Sequence, residues 1–367
     1  MPSELREQDL VDLARGATVL GTGGGGDPYI GRHLVNRALA GKPIVLLDPD
    51  ELDDEMFVIP TAMMGAPTVM IEKLPAGNEA VLALRTLEKH LGRKADATMP
   101  IECGGINSMI PLLVGAECGL PVVDADGMGR AFPELSMETF AVYGVHGSPL
   151  AIAGERGEEV IIDTADDDHQ LEWLARGVTI RLGGVGHIAE YAMTGADVRR
   201  TAVPRTLSMG LELGRAIRRA RERHSSPFEA IADALSSTLY HHVVDLFVGK
   251  VIDVERRTAE GFALGTAIIA ATDGSPNRLE IRFQNENLLA IRDGQVLAMV
   301  PDLICVLEAD TAEPITTERL RYGQRVRVIG ISTPDMMRTT EALRAFGPEA
   351  FGLDLTFAPV EGAVALG

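Results

Sequence analysis

Apolar residues recur along this chain with two different periods, and the change from one to the other divides it. Over residues 3–19, Leu5, Leu10, Leu13 and Val19 suit one helical face, with Ser3 as the cap. A glycine run follows, GTGGGGDP (21–28), after which Asp27 is placed to cap and Pro28 to open a second helix. Its Ile30, Leu34 and Ala38 share a face, and Gly41 stops it. IVLL (44–47) and FVIP (57–60) predict buried strands, 77–91 a helix, ATMPIE (97–102) a strand and 108–119 a helix. PVVDADGMG (121–129) is a short strand running into a polar loop. This alternation predicts an α/β domain with a parallel or mixed sheet, its polar residues gathered at strand ends where such sheets place ligands.

Beyond residue 160 the pattern shifts. IIDTADDDHQLEWLARG (161–177) holds an acidic turn and a short helix, and VTIRLGGVG (178–186) starts something more β-like. Helical segments are expected over 205–222 and 227–239. From Val243 the period becomes two, in VVDLFVGKVIDVERR, FALGTAIIAA, LEIRFQNENLLAI, VLAMVPDLICVL and RVRVIGI. Turn residues separate these runs, among them Asp273-Gly274-Ser275-Pro276 and Asp293-Gly294-Gln295. An antiparallel, barrel-like, mostly-β second domain is expected, with domains at 1–165 and 166–367 and the helices about 205–239 in the second.

Charge narrows the partners. Lys plus Arg is 34 against 53 Asp plus Glu, a formal charge of −19, which disfavours nucleic acid and anionic membrane and leaves a small molecule. Three cysteines without a CxxC pair suit a reducing cytoplasm. The N-terminal stretch is charged and amphipathic, unlike a secretory signal, and no run of about 18 apolar residues occurs. A homo-oligomer is the general expectation for a soluble enzyme of this size.

Gly21, Gly23 and Gly26 match GxGxxG, with Asp48 about 20 residues on, the dinucleotide fingerprint on paper. That motif needs a strand before it and a helix starting within it; ATVL is short and the helix starts only at Asp27-Pro28. An NAD(P)-dependent oxidoreductase is therefore the weaker reading, and no Walker loop exists because no Lys-Ser or Lys-Thr follows. Gly23, Gly24, Gly25 and Gly26 beside Asp27 form either a tight turn or a nest of amide groups for an oxyanion or carboxylate.

Several stretches together resemble one family: GTGGGGDP (21–28), MMGAP (63–67), IECGGINSMIP (101–111), GLPVVDADGMGRAFPEL (119–135), FQNENLLA (283–290), VPDLICVL (300–307) and FGPEAFGLDL (346–355). The chain is similar to proteins long known only as a domain of unknown function and later named after an S-methyl thiohydantoin desulfurase. The resemblance implies an N-terminal α/β and a C-terminal mostly-β domain. It also implies hydrolysis of an S-methyl thiohydantoin to a hydantoin with loss of methanethiol. Relatives are associated with hydantoinase/oxoprolinase proteins, so a non-catalytic accessory subunit of such a partner is the alternative.

That chemistry needs a nucleophile, a base and donors for developing charge. Cys103, at a strand end, is a candidate nucleophile or a buried core residue. Glu102 and Asn107 flank the same loop, Asn107 as substrate contact or helix cap. Asp124 and Asp126 fall on alternate positions, so they are expected to share a face and raise one another's pKa, unless Arg130 neutralises them. Glu286 interrupts a period-two strand without a turn to explain it; with Asn287 and Asp302 it is expected to close the pocket between the domains. No HxH or HExxH spacing joins His146, His187, His241 or His242, so no cofactor is predicted and a metal stays open.

Overall fold

The computed structural model describes residues 3–65, 69, 76–259 and 262–363; the motif MMGAP leaves the described residues after Gly65. Ser3–Leu5 is a strand, not the start of a helix, and pairs antiparallel with Ile44–Leu47. Leu5 is buried either way, and the five-residue step to Leu10 breaks the helical period, so the helix begins at Leu10 and runs to Leu20.

The first sheet is mixed. Its order is Ser3–Leu5, Ile44–Leu47, Val122–Val123, Ala97–Met99, Phe57–Gly65, Val185–Ala189, Leu150–Ala153 and Glu159–Ile162. Ile44–Leu47, Val122–Val123, Ala97–Met99 and Phe57–Gly65 form the parallel centre, and the flanks are antiparallel. The helix Glu79–Leu91 buries Ala80, Ala83, Leu84 and Leu87 in one cluster with Ile59, Ala151 and Ala189. Val185–Ala189 sets His187 opposite Met63, and Met193–Thr194 pairs with the start of Phe57–Gly65. The chain therefore contributes to the first sheet as far as Thr194. The residues VTIR belong to the helix Asp168–Arg181, and the strand begins only at Val185.

The second sheet is antiparallel throughout, in the order Gln295–Met299, Glu286–Arg292, Arg278–Gln284, Phe262–Ala271, Val243–Ala259, Arg325–Ile331 and Leu303–Glu308. It curls as a half-barrel around Leu246, Val251, Ile269, Ile281, Val306 and Val328. The helices Thr206–Glu222 and Pro227–Leu235 precede it, and no described helix is long and apolar enough to cross a membrane.

The glycine loop splices the two sheets together. Thr22 Oγ1 donates to Ile304 O (3.0 Å) and accepts from Ile304 N (2.9 Å). Asn287 N donates to Thr22 O (2.8 Å), and Thr317 N to Gly23 O (2.7 Å). Backbone donors and acceptors buried at this joint are thus satisfied across it, which fixes how the second sheet sits on the first.

Candidate functional site

A helix, Leu10–Leu20, precedes the glycine loop, so the strand–turn–helix context of a dinucleotide loop is absent. Asp48 caps its own short turn through Asp50 N (3.0 Å) and is gripped by Arg205 Nε (3.0 Å) and Nη2 (2.9 Å). Gly23, Gly25 and Gly26 have φ of 94°, 71° and 74°, and a Cβ at Gly25 would stand 2.6 Å from the Gly104 carbonyl carbon. A Cβ at Gly24 would land on the Glu286 carboxyl, and the Gly25 amide donates to that same carboxyl. The group that meets this loop is thus a carboxyl side chain delivered by the second sheet. Asp27 sits at the loop's exit, accepting from Tyr29 N (2.9 Å) and pairing with Arg319 (3.1 Å).

Behind Gly25 lies a narrow cavity of about 60 Å³. Met63, Met64, Ile101, Met128, Phe132 and Leu135 give it apolar walls; Glu102, Asn107, Asn285, Glu286 and, at one side, Glu134 and Arg176 supply polarity. Glu102 follows the strand Ala97–Met99 and is buried. Its Oε1 accepts from Asn107 Nδ2 (2.7 Å), and Asn107 is itself held by Met63 N on its Oδ1 (2.8 Å) and by Met63 O (3.2 Å). Glu102 Oε2 has no hydrogen-bond partner among the described residues. Glu286 opens its strand just after Asn285, whose φ is 56°, and its Oε2 likewise has no partner.

Two buried carboxyls, one from each half of the chain, thus present a bare oxygen each beside one cavity. Burial, then the neighbouring Glu286, push the Glu102 carboxyl well above the usual range. Burial lifts Glu286 to about 8, against the pull of Arg130 and the Gly25 amide. Arg130 is fully buried, and burial draws it down to about 10. Its guanidinium donates to the carbonyls of Ala131 (3.0 Å), Pro301 (3.2 Å), Asp302 (3.0 Å) and Asn287 (3.1 Å). Its charge therefore steadies Glu286 from a distance, while these hydrogen bonds go to the joint.

Asp124 lies at a break between two short strands, Val122–Val123 and Ala125–Asp126, the second of which pairs with Val203–Pro204. Asp124 accepts from Ser208 N (3.0 Å) and the Ser208 hydroxyl, tying down the start of the helix Thr206–Glu222. Asp126 gathers Cys103 N (2.7 Å), Met128 N (2.9 Å) and Gly129 N (2.5 Å), which shapes the loops behind the cavity. Burial, rather than one another, raises both carboxyls, Asp126 to about 6.

Cys103 is buried, its Sγ donates to Thr206 O (3.3 Å), and burial pushes the thiol up, away from the thiolate a nucleophile needs. It does not line the cavity. Cys103→Ala is accordingly expected to keep kcat/KM within about threefold while losing about 1 kcal/mol of stability. Steady-state kinetics and denaturant melts check both halves.

Asn287 and Asp302 work at the joint. Asn287 Nδ2 donates to Ile304 O (2.8 Å). Asp302 accepts from Thr333 N (3.0 Å), Val360 N (2.8 Å) and Arg338 (2.5 Å). Of the residues singled out from the sequence, Gly25, Glu102, Asn107 and Glu286 line the cavity together. Cys103, Asp124, Asp126, Arg130, Asn287 and Asp302 do not line it, nor do Gly23, Gly24, Gly26 and Asp27, which belong to the loop that carries Gly25.

Sequence reasoning missed the apolar wall and two further buried acids, Glu138 and Glu190, whose oxygens have no described partner. Burial pushes both carboxyls up, and each adjoins further acids, Glu190 beside Glu138 and Glu172 beside Glu190. The signal was there: each is a carboxylate inside an apolar run, SMETFAV and HIAEYAM. His187 is buried and His146 pairs with Asp168 at the surface (3.0 Å). Among the described residues no three His, Cys, Asp or Glu side chains are placed to hold a metal ion.

Comparison with known proteins follows the two halves. The profile of the S-Me-THD-like N-terminal domain matches residues 8–164, and that of the S-Me-THD-like C-terminal domain matches residues 166–360. A crystal structure of a protein from Chromobacterium violaceum is similar, at 28% identity and a TM-score of 0.78, covering 98% of this chain and 100% of that one. No curated protein matches. The two profiles in tandem leave only short ends of the chain unmatched, and the chain belongs to the S-Me-THD-like family.

Proposed function

We propose that the chain is a hydrolase of a small five-membered cyclic thioimidate of the S-methyl thiohydantoin kind, releasing methanethiol and leaving a hydantoin. The family name suggests the substrate, and the observation that carries the reading is the pair of bare carboxyl oxygens on Glu102 and Glu286 beside one cavity.

The division of labour follows from the surroundings of each group. Burial raises Glu286 to about 8 against the pull of Arg130 and the Gly25 amide, so it ionises toward alkaline pH and its Oε2 then takes the proton from an attacking water. Glu102 stays protonated, Asn107 occupies its Oε1, and Oε2 is left to donate toward the ring nitrogen. The C–O bond forms as the C–S bond breaks, and thiolate leaves. The proton taken up by Glu286 passes to the thiolate, the ring nitrogen receives that of Glu102, and the hydroxyl proton of the new C–OH restores Glu102. The thioether and aromatic side chains of Met63, Met64 and Phe132 offer a soft apolar seat for a methylthio group.

The test is a panel of S-methyl thiohydantoins incubated with the purified chain, reading thiol colorimetrically and hydantoin by mass spectrometry. Equimolar thiol and hydantoin are expected. Failure of every member of the panel with a folded chain would overturn the reading.

A further inference from the structure

The cavity's two acids are richer in proton chemistry than the loss of a thiolate demands. A thiolate is a far weaker base than an amide anion, so methanethiolate departs unprotonated, whereas an amine leaves carbon only after it has been protonated. Glu102 lines the cavity, its Oε1 is taken by Asn107 and its Oε2 has no partner among the described residues, and burial favours its neutral form, the arrangement an amine leaving group needs. A carboxyl group also matches an amidine edge, N=C–NH2, through one donated and one accepted hydrogen bond.

Charge points the same way. Arg130, whose charge lowers the Glu286 pKa, gives its hydrogen bonds to four carbonyls of the joint, and Arg176 at the cavity's side is tied to Glu172 and to Pro133 O (2.9 Å). A ligand bearing a carboxylate would set a further anion against the ionised Glu286 with no free cation among the described residues of the cavity to meet it, whereas one that takes up a proton pairs with it.

We propose that the same pocket also hydrolyses five-membered cyclic acylguanidines, the 2-amino-imidazol-4-ones, releasing ammonia and giving a hydantoin. The inference rests on the assignment of Glu102 and Glu286 made above, and it extends the leaving group from sulfur to nitrogen. Water adds to the ring carbon as Glu286 takes its proton, which Glu286 then passes to the ring nitrogen. Glu102 then protonates the exocyclic nitrogen, the C–N bond breaks, and the proton lost from the new hydroxyl returns to Glu102. Oxygen from water replaces nitrogen at carbon, and nothing is oxidised or reduced.

The test uses one preparation of the full chain with 2-amino-imidazol-4-one and an S-methyl thiohydantoin in parallel, reading ammonia by a coupled assay and methanethiol with a thiol reagent. Both products are expected. Glu102→Gln, which still donates a hydrogen bond but transfers no proton, is expected to lower ammonia release at least about 100-fold and methanethiol release less than about tenfold. Methanethiol without ammonia from the folded wild-type chain overturns the extension and leaves the desulfurase reading standing. Ammonia without methanethiol does the reverse. Equal losses in Glu102→Gln overturn the acid role on which the extension depends, and silence with both substrates overturns both.

Discussion

Glu286→Gln is expected to lower kcat/KM for methanethiol release by about 10²–10⁴-fold, the range typical of removing a positioned general base. The glutamine carbonyl can still accept from the Gly25 amide, so the joint between the sheets is expected to hold. The wild-type pH profile carries the sign. Glu286 must be ionised to take a proton, and its pKa stands at about 8, so kcat/KM is expected to rise about tenfold per pH unit and level off near pH 8. Glu102 lies well above the usual carboxylate range, and losing its proton removes the hydrogen bond it donates, so the rate is expected to fall again at more alkaline pH. The two limbs belong to the pair, since each carboxyl feels the other. Glu286→Gln is expected to lose the acidic limb along with the rate.

The same shift makes a stability statement. The folded chain holds the Glu286 proton more tightly than the unfolded chain, so wild-type stability is greatest below the unfolded pKa of 4.5 and is lost as pH rises toward about 8. Relative to wild type, Glu286→Gln is therefore expected to gain on the order of a few kcal/mol between pH 5 and pH 9, measured by urea unfolding at both. A wild-type chain that gained stability over the same range relative to the variant would contradict the burial of an ionisable Glu286.

Much of this site is legible in the chain because local chemistry decides it. Four glycines before Asp27-Pro28 signal backbone free of side chains at a helix start, and the Gly25 amide there meets the Glu286 carboxyl. Glu286 stood out as a carboxylate with no turn to explain it; the turn belongs to Asn285, at φ 56°, and frees Glu286 to point inward. The identity of the loop's partner was not legible, since it comes from more than 260 residues away and only the docking of the two sheets brings it there. Asp124 and Asp126 are a different case: burial, not each other, raises both carboxyls, and each is engaged by backbone amides that the local sequence does not announce. Val185–Ala189 was similarly hidden: its place beside Phe57–Gly65 is a long-range pairing with no local signature.

Arg130→Met is expected to cost about 3–5 kcal/mol, because it strands four carbonyls of the joint inside the protein. Methionine roughly fills the length of the side chain, so the loss reads the unpaired groups more than an empty space. Pro301, Asp302 and Asn287 lie on the second half, and Ala131 on the first; one guanidinium therefore ties the halves together directly behind Glu286. Removing its charge leaves the Glu286 carboxyl with burial and less to oppose it, so the acidic limb of the rate profile is expected to move to higher pH. Arg130→Lys separates the two effects. It keeps the charge but not the planar fork, so it is expected to be destabilised by about 2–3 kcal/mol while its acidic limb stays near the wild-type position. Urea unfolding paired with pH–rate profiles of both variants makes the comparison. A limb that shifts equally in Arg130→Lys and Arg130→Met would show that geometry, not the cation's field, sets the ionisation of Glu286.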